Sequence, residues 1–200
     1  KRYNWELIYC EMYAGGKYNN QSGNIYEYSL GLNGLGCCAT QYASSYMDVE
    51  VKRDGFKYNL HFEKGRNKGG LKKVDAEDKK TGTTIRWLPD LEVFTDIDIS
   101  LDFFKDTLKK QAVVNEGLTF KLYNETENGK FELFTFLYKN GISDYLIELS
   151  EDKNITSIQR FSTEREGRDR SDKEDYKVKL NVAFAFNNNI NVIEYYHNSS

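Results

Sequence analysis

Chemistry-bearing residues are scarce in this chain. It has only two histidines, His61 and His197, far apart, so neither a nucleophile–histidine triad nor a zinc site is expected. The three cysteines, Cys10, Cys37 and Cys38, are odd in number and two are adjacent, which builds no disulfide framework and matches no metal-ligand spacing. The single proline, Pro89, closes a strand-like run. The G-x-S-x-G elbow, the H-E-x-x-H pair and the Walker A loop are all missing. No apolar stretch approaches the roughly 20 residues that span a bilayer. The opening "KRYNWELIYCEMYAGG" is interrupted by Asn4 and Glu6 and makes a poor signal peptide. These absences make a cytoplasmic location the expectation and leave no membrane role. The N-x-[ST] triplets at Asn20, Asn124, Asn154 and Asn198 then read as chance matches.

The aromatic supply, by contrast, is ample. With 15 Tyr and 12 Phe in 200 residues there is material for one good-sized domain or two small ones. A net charge of −3 with mixed signs argues against a globally basic nucleic-acid module, though not against a local basic patch.

Glycine is concentrated where it matters most. "SLGLNGLGCCATQYASSY", from Ser29, holds Gly31, Gly34 and Gly36 just before a helix-like run. Glycine is costly inside regular structure and useful where backbone turns sharply or approaches a ligand closely. A glycine turn feeding a helix suits an anion, which the free N–H groups would face. Taken alone, the motif fits a plain tight loop equally well.

The periodicity predicts a mixed chain. Trp5, Ile8, Tyr9 and Met12 lie at helical spacing within residues 3–13, and Cys37 to Ser44 suits a short, tightly packed helix. The period then becomes two. Met47, Val49 and Val51 alternate with charged residues, "RDGF" makes a hairpin turn, and Phe56, Tyr58, Leu60 and Phe62 alternate in a second strand that leaves His61 facing solvent. "EKGRNKGGLKKVDAEDKK" reads as a loop and "TGTTIRWLP" as the third strand of an antiparallel meander. Leu101, Phe104, Leu108 and Ala112 mark an amphipathic helix. Two strands around Glu125 to Lys130, a helix in "NGISDYLIELS", a charged hairpin tip in "EREGRDRSDKED", a strand through Val178 to Phe184 and a last strand in "NVIEYYHN" complete the reading. The abrupt start and finish fit part of a longer polypeptide.

Five ordered blocks in this pattern resemble a known family. "YAGGKYNN", "SLGLNGLG", "KTGTTIRWLPDLEVF", "QAVVNEGLTFKLYNE" and "FLYKNGISDYLIEL", with "VKLNVAFAFNNNINVIEYYHN" behind them, look like the ATPase region of the bacterial type IIA topoisomerases, the B subunits of gyrase and topoisomerase IV. The resemblance implies an α+β fold. Residues 1–126 would be the C-terminal part of a GHKL (Bergerat) ATP-binding sandwich, and 127–200 the N-terminal part of a transducer domain. It implies ATP and Mg²⁺ as cofactors, double-stranded DNA and an A-type subunit as partners, and a homodimer in the full-length protein.

Site residues follow from the same likeness. Lys17 matches the lysine that approaches the terminal phosphate, and Gly31, Leu32, Asn33, Gly34, Leu35 and Gly36 match the ATP lid. Thr83 matches the threonine at the adenine end, and Arg53 an arginine at the pocket mouth that aminocoumarins contact. The general base, the magnesium-holding asparagine and the adenine-reading aspartate would lie upstream of the matched region, and the lysine loop that senses the terminal phosphate downstream. The chain by itself is therefore expected not to hydrolyse ATP. It also departs from the family. Glu27 stands where many relatives have lysine, Leu30 replaces the first lid glycine, and Asn33 replaces the lid histidine. These departures keep open a divergent, non-catalytic binding or regulatory module that has lost the nucleotide. A chaperone or mismatch-repair branch of the superfamily fits less well, because those lack the "TGTTIRWLPDLEVF" block.

Overall fold

A computed structural model describes residues 2–15, 34–76, 78–151, 153–168, 170–172 and 175–197. The chain forms two compact units, the first holding described residues through Asp98 and the second those from Ile99 onward.

In the first unit, helix α1 spans Asn4–Cys10 and helix α2 spans Gly36–Tyr42. The α1 helix is shorter than the apolar spacing suggests, and Met12 falls beyond it as an exposed residue. Strands β1 (Ser44–Arg53) and β2 (Phe56–Glu63) pair antiparallel in the register Met47↔Phe62, Val49↔Leu60 and Arg53↔Phe56. Their two-residue turn has positive φ at both Asp54 (55°) and Gly55 (77°), the twist that a tight hairpin requires.

The expected meander differs in two ways. The polar run after β2 is not all loop, since Arg66–Asn67 (β3) and Lys72–Asp75 (β4) both pair with β2. Strand β4 is exposed at every position, so it carries no apolar alternation for a period-two reading to detect. With that edge of β2 occupied, Gly82–Pro89 (β5) pairs with β1 instead, giving the order β3-β2-β1-β5. Met47, Val49, Leu60 and Phe62 are buried on one face under Tyr9, with Trp5 and Cys10 packed alongside. Trp5 meets the Phe62 ring edge-on and Tyr9 meets it at a tilt, at centroid distances of 6.3 and 5.8 Å.

The second unit opens with α3 (Leu101–Val114), whose N-cap Ser100 accepts the Phe103 N–H at 3.3 Å. Strands β6 (Phe120–Glu125) and β7 (Phe131–Phe136) follow as the expected hairpin, then α4 (Ile142–Leu149). Ala112, Val113 and Tyr138 form the buried centre, with Phe120, Phe136, Ile142 and Tyr145 around them. Glu148 ties the helices together, accepting from Tyr138 Oη at 2.5 Å and from Lys109 Nζ. Burial, and then the hydrogen bond to Glu148, push the Tyr138 hydroxyl well above its ordinary range.

Strands β8 (Gln159–Gly167) and β9 (Tyr176–Phe184) pair as a two-stranded ribbon. The expected last strand does not form. Residues 191–196 are without strand structure, and Ile193 and Tyr195 are exposed. Alternation alone makes no strand where the backbone lacks a pairing edge.

Candidate functional site

Those residues picked out from sequence that the structure describes fall in the first unit, in two places. The first is the head of α2. Gly34 has φ of +63°, a left-handed backbone, and lies against the chain that leaves α1. A Cβ there would collide with the Gly15 nitrogen and stand 2.7 Å from Gly15 Cα and 3.2 Å from the Ala14 carbonyl carbon. Gly34 is thus glycine for two independent reasons, conformation and close approach. The glycine pattern pointed toward a ligand and gave no hint of this backbone-on-backbone contact. Leu35 occupies the N-cap position of α2 and supplies no side-chain cap, and Gly36 opens the helix. Lys17, Gly31, Leu32 and Asn33 lie outside the described residues, as do Glu27 and Leu30.

The far side of α2 is fixed by buried polar groups that sequence did not single out. Ser44 is buried, and its hydroxyl donates to the Thr40 carbonyl at 2.5 Å. The Asp90 N–H donates to the Ala43 carbonyl at 2.9 Å, which ties the end of β5 to the α2–β1 junction. The Asp90 carboxylate accepts the Glu92 N–H at 3.0 Å, organising the turn after Pro89. Gln41 is fully buried, and neither amide atom has a partner among the described residues. Only the "LPD" step hinted at this turn.

The second place is the open end of the sheet. Val51 pairs with Thr83 across β1 and β5. Because side chains alternate along a strand, Thr83, Val51 and Arg53 share the face that carries the Met47–Phe62 core. Thr83 and Arg53 are both exposed, and Arg53 Nε bonds the adjacent Asp54 carboxylate at 3.1 Å. The structure therefore brings Arg53 and Thr83 to one end of one face, and sets Gly34, Leu35 and Gly36 at the head of the adjoining helix.

The opposite face is polar. A shallow cleft of about 330 Å³ there is lined by Asp48, Glu50, His61, Lys68, Lys72 and Arg86, among others. His61 Nδ1 lies 2.6 Å from the Asp48 carboxylate and Nε2 lies 3.3 Å from Glu63, which holds the imidazole above its ordinary pKa. His61 is thus clasped by two carboxylates on the polar face of the sheet. Among the described residues no three of His, Cys, Asp or Glu are placed to hold a metal ion.

The architecture is that of the GHKL ATPase domains, an α+β sandwich half whose helices cover one face of an antiparallel sheet. Among solved structures, the chain is similar to the ATP-binding domain of Francisella tularensis topoisomerase IV in complex with a small-molecule inhibitor. That likeness has a TM-score of 0.59 at 26% identity and covers 82% of this chain and 44% of that one. It is also similar to the 43K ATPase domain of Thermus thermophilus gyrase B in complex with an aminocoumarin, with a TM-score of 0.56 at 26% identity over 68% of this chain and 36% of that one. No family model matches the chain.

Particular relatives are bacterial topoisomerase proteins. The B subunit of DNA topoisomerase 4 from Streptococcus pneumoniae is 33% identical over 185 residues, 91% of this chain and 27% of that protein. Its counterpart from Enterococcus faecalis is 30% identical over 198 residues, 96% of this chain and 27% of that protein. The B subunit of DNA gyrase from Spiroplasma citri is 31% identical over 147 residues, 73% of this chain and 22% of that protein. The chain is a homologue of the ATPase subunits of bacterial type II topoisomerases, and it spans about a quarter of the length of the curated relatives it matches.

Proposed function

We propose that this chain is the lid-bearing part of an ATP-dependent type IIA DNA topoisomerase subunit, with residues 1–126 from the ATP-binding domain and 127–200 from the transducer. The observation that carries the reading is the Gly15–Gly34 contact. It brings Gly15 and Gly34, the described residues on either side of 16–33, together at the head of α2, and the sequence between them contains Lys17 and Gly31, the first glycine of the motif. Leu35 leaves the first turn of α2 without a side-chain cap, so its N–H groups are available to a phosphate. In this role Lys17 supplies positive charge to the terminal phosphate, and Gly31, Leu32, Asn33, Gly34, Leu35 and Gly36 wrap the triphosphate with backbone donors. Thr83 joins the hydrogen bonds at the adenine end, and Arg53 guards the mouth. Phosphoryl transfer to water depends on positioning and charge stabilisation, and backbone donors supply both without reorganising.

The full-length protein would bind ATP and Mg²⁺ in the cytoplasm and act as a homodimer with an A-type subunit, coupling ATP turnover to passage of one DNA duplex through another. No helix among the described residues is long and apolar enough to cross a membrane.

Calorimetric titration of a non-hydrolysable ATP analogue with magnesium tests the reading, using this chain and one extended by its natural upstream sequence. Binding by the extended chain, lost on Gly34→Ala, is the expected result. Binding by neither would favour a GHKL-like module that has lost its nucleotide.

A further inference from the structure

The polar face of the first unit's sheet carries a pattern that the nucleotide reading does not use. Across that face the ladder sets Thr84 of β5 against Glu50 of β1, Glu50 against Asn59 of β2, and Asn59 against Lys72 of β4. Arg86 stands two residues along β5 from Thr84, and so on the same face. All five line the cleft of about 330 Å³.

Charge in this cleft is only partly paired. Its two carboxylates have cations of their own, since Glu50 lies 3.2 Å from Lys57 Nζ and Asp48 lies 2.6 Å from His61 Nδ1. Lys68 is 3.4 Å from Glu63. Arg86 and Lys72 make no ion pair among the described residues. Arg86 opposes Asp48 in the ladder, yet its guanidinium stands 5.8 Å from the centre of the Tyr46 ring. The Thr84 hydroxyl and the Asn59 amide have no protein hydrogen bond among the described residues. Each side of the cleft therefore holds one unpaired cation and one neutral hydrogen-bonding group. These are Arg86 with Thr84 on β5, and Lys72 with Asn59 across β4 and β2. The strands run in the order β5, β1, β2, β4. Neighbouring strands lie about 4.8 Å apart, which puts β5 and β4 about 14 Å from each other. Two long basic side chains reaching in from these strands leave room between their heads for a pair of linked phosphoryl groups.

We propose that this cleft binds a diphosphate group, one phosphoryl held by Arg86 and Thr84 and the other by Lys72 and Asn59. The guanidinium fork suits two oxygens of one phosphoryl, and the lysine serves the other as a point charge. With Asp48 and Glu50 neutralised by their own partners, the anion meets the charge of Arg86 and Lys72. The His61 imidazolium, held up by its carboxylates, adds to that charge. The cleft lies on the face opposite Arg53 and Thr83, so the proposal stands independently of ATP binding. A free diphosphate compound and two successive phosphates of a nucleic-acid strand share this chemistry, and the test separates them.

The chain has only two histidines, so proton NMR reads the cleft through His61 with His197 as internal control. The 200-residue chain is titrated with sodium pyrophosphate at constant ionic strength, and His61→Gln assigns the two imidazole signals. The expected result is a saturable shift of the His61 signal and a rise in its pKa, with His197 unmoved. Arg86→Gln and Lys72→Gln should each weaken binding about tenfold, the loss of one charge-assisted contact. Glu50→Gln, which releases Lys57, should tighten binding, a gain that a damaged fold does not produce. A short DNA duplex as the second probe identifies the source. Saturation by pyrophosphate alone assigns a small diphosphate compound, and saturation by the duplex at lower phosphate concentration assigns the nucleic-acid backbone. No saturable His61 shift with either probe would overturn the proposal. Equal shifts at both histidines that survive Arg86→Gln would also overturn it, as the mark of an adventitious ion only.

Discussion

Two antiparallel hairpins of nearly equal length, β1–β2 and β8–β9, have different fates. In β1–β2 large apolar residues alternate with polar ones on both strands, whereas in β8–β9 they alternate on β9 and Phe161 is the one large apolar residue of β8. In β1–β2, Phe62 is 1% exposed, because Trp5 and Tyr9 of α1 lie over it and β5 and β4 flank the pair. In β8–β9, Phe161 pairs with Val182 on a ribbon whose apolar face stays open, and Phe161 is 56% exposed. Strand β9 touches α4, yet Val178, Leu180, Val182 and Phe184 all remain exposed. Alternation specifies a strand and the face it offers. Whether that face is buried depends on what covers it, and a two-stranded ribbon alone is marginal in water.

The largest expected effect sharpens this contrast directly. Phe62→Ala removes a buried ring from the centre of the first unit and should cost about 3–5 kcal/mol in urea unfolding. Phe161→Ala, made on the open ribbon, should cost only about 0.5 kcal/mol. Equal losses at the two sites would break the comparison, since they would mean that the ribbon face is covered in solution.

Glycine allows a finer comparison of the same kind. Gly34 and Gly55 both have positive φ, but a Cβ at Gly34 meets the backbone of Gly15, whereas one at Gly55 meets nothing within 4 Å. Gly34→Ala combines left-handed strain with overpacking and should cost about 2–4 kcal/mol. Gly55→Ala carries the strain alone, about 1 kcal/mol. Matched thermal unfolding of the two variants separates close approach from conformation. A Gly34→Ala cost no larger than that of Gly55→Ala would mean that the Gly15 contact gives way freely.

How much of this is readable from sequence follows from what each element buries. The α3 helix, the β6–β7 hairpin and β1, β2 and β5 are legible because each shows an apolar face at its own period. The β3 and β4 strands are not, because Lys72–Asp75 buries nothing and holds its place by backbone pairing to β2. The "NVIEYYHN" run fails in the opposite direction, with alternation present and no edge to pair with. At the candidate site, Thr83 and Arg53 are picked out by motif likeness alone, and their common face follows from the Val51↔Thr83 register. The Gly15–Gly34 contact, the buried Gln41 and the Asp90 tie are not, since each depends on a meeting of segments that no local pattern encodes.

The smallest effect concerns the polar face of the sheet whose other face holds the core. His61 on β2 faces Asp48 on β1 and Glu63 on its own strand, Glu63 also pairs with Lys68 at 3.4 Å, and Arg86 on β5 stands opposite Asp48 in the ladder. The hydrogen bond to Asp48, then that to Glu63, raises the His61 pKa above its ordinary value. A raised folded-state pKa stabilises the protonated native form. The contribution is therefore complete below about pH 6.5, the ordinary histidine value. It is lost as pH rises through the higher folded value. The side chain is 41% exposed and screened by solvent, so the effect should be only about 0.2–0.5 kcal/mol. Denaturant unfolding of wild type and His61→Gln from about pH 5.5 to 8.5 should show a stability gap that is largest at the acid end and shrinks toward the alkaline end. A gap that widens with pH would mean that the neutral imidazole does the holding, and that the clasp on this face is a hydrogen bond without an ion pair.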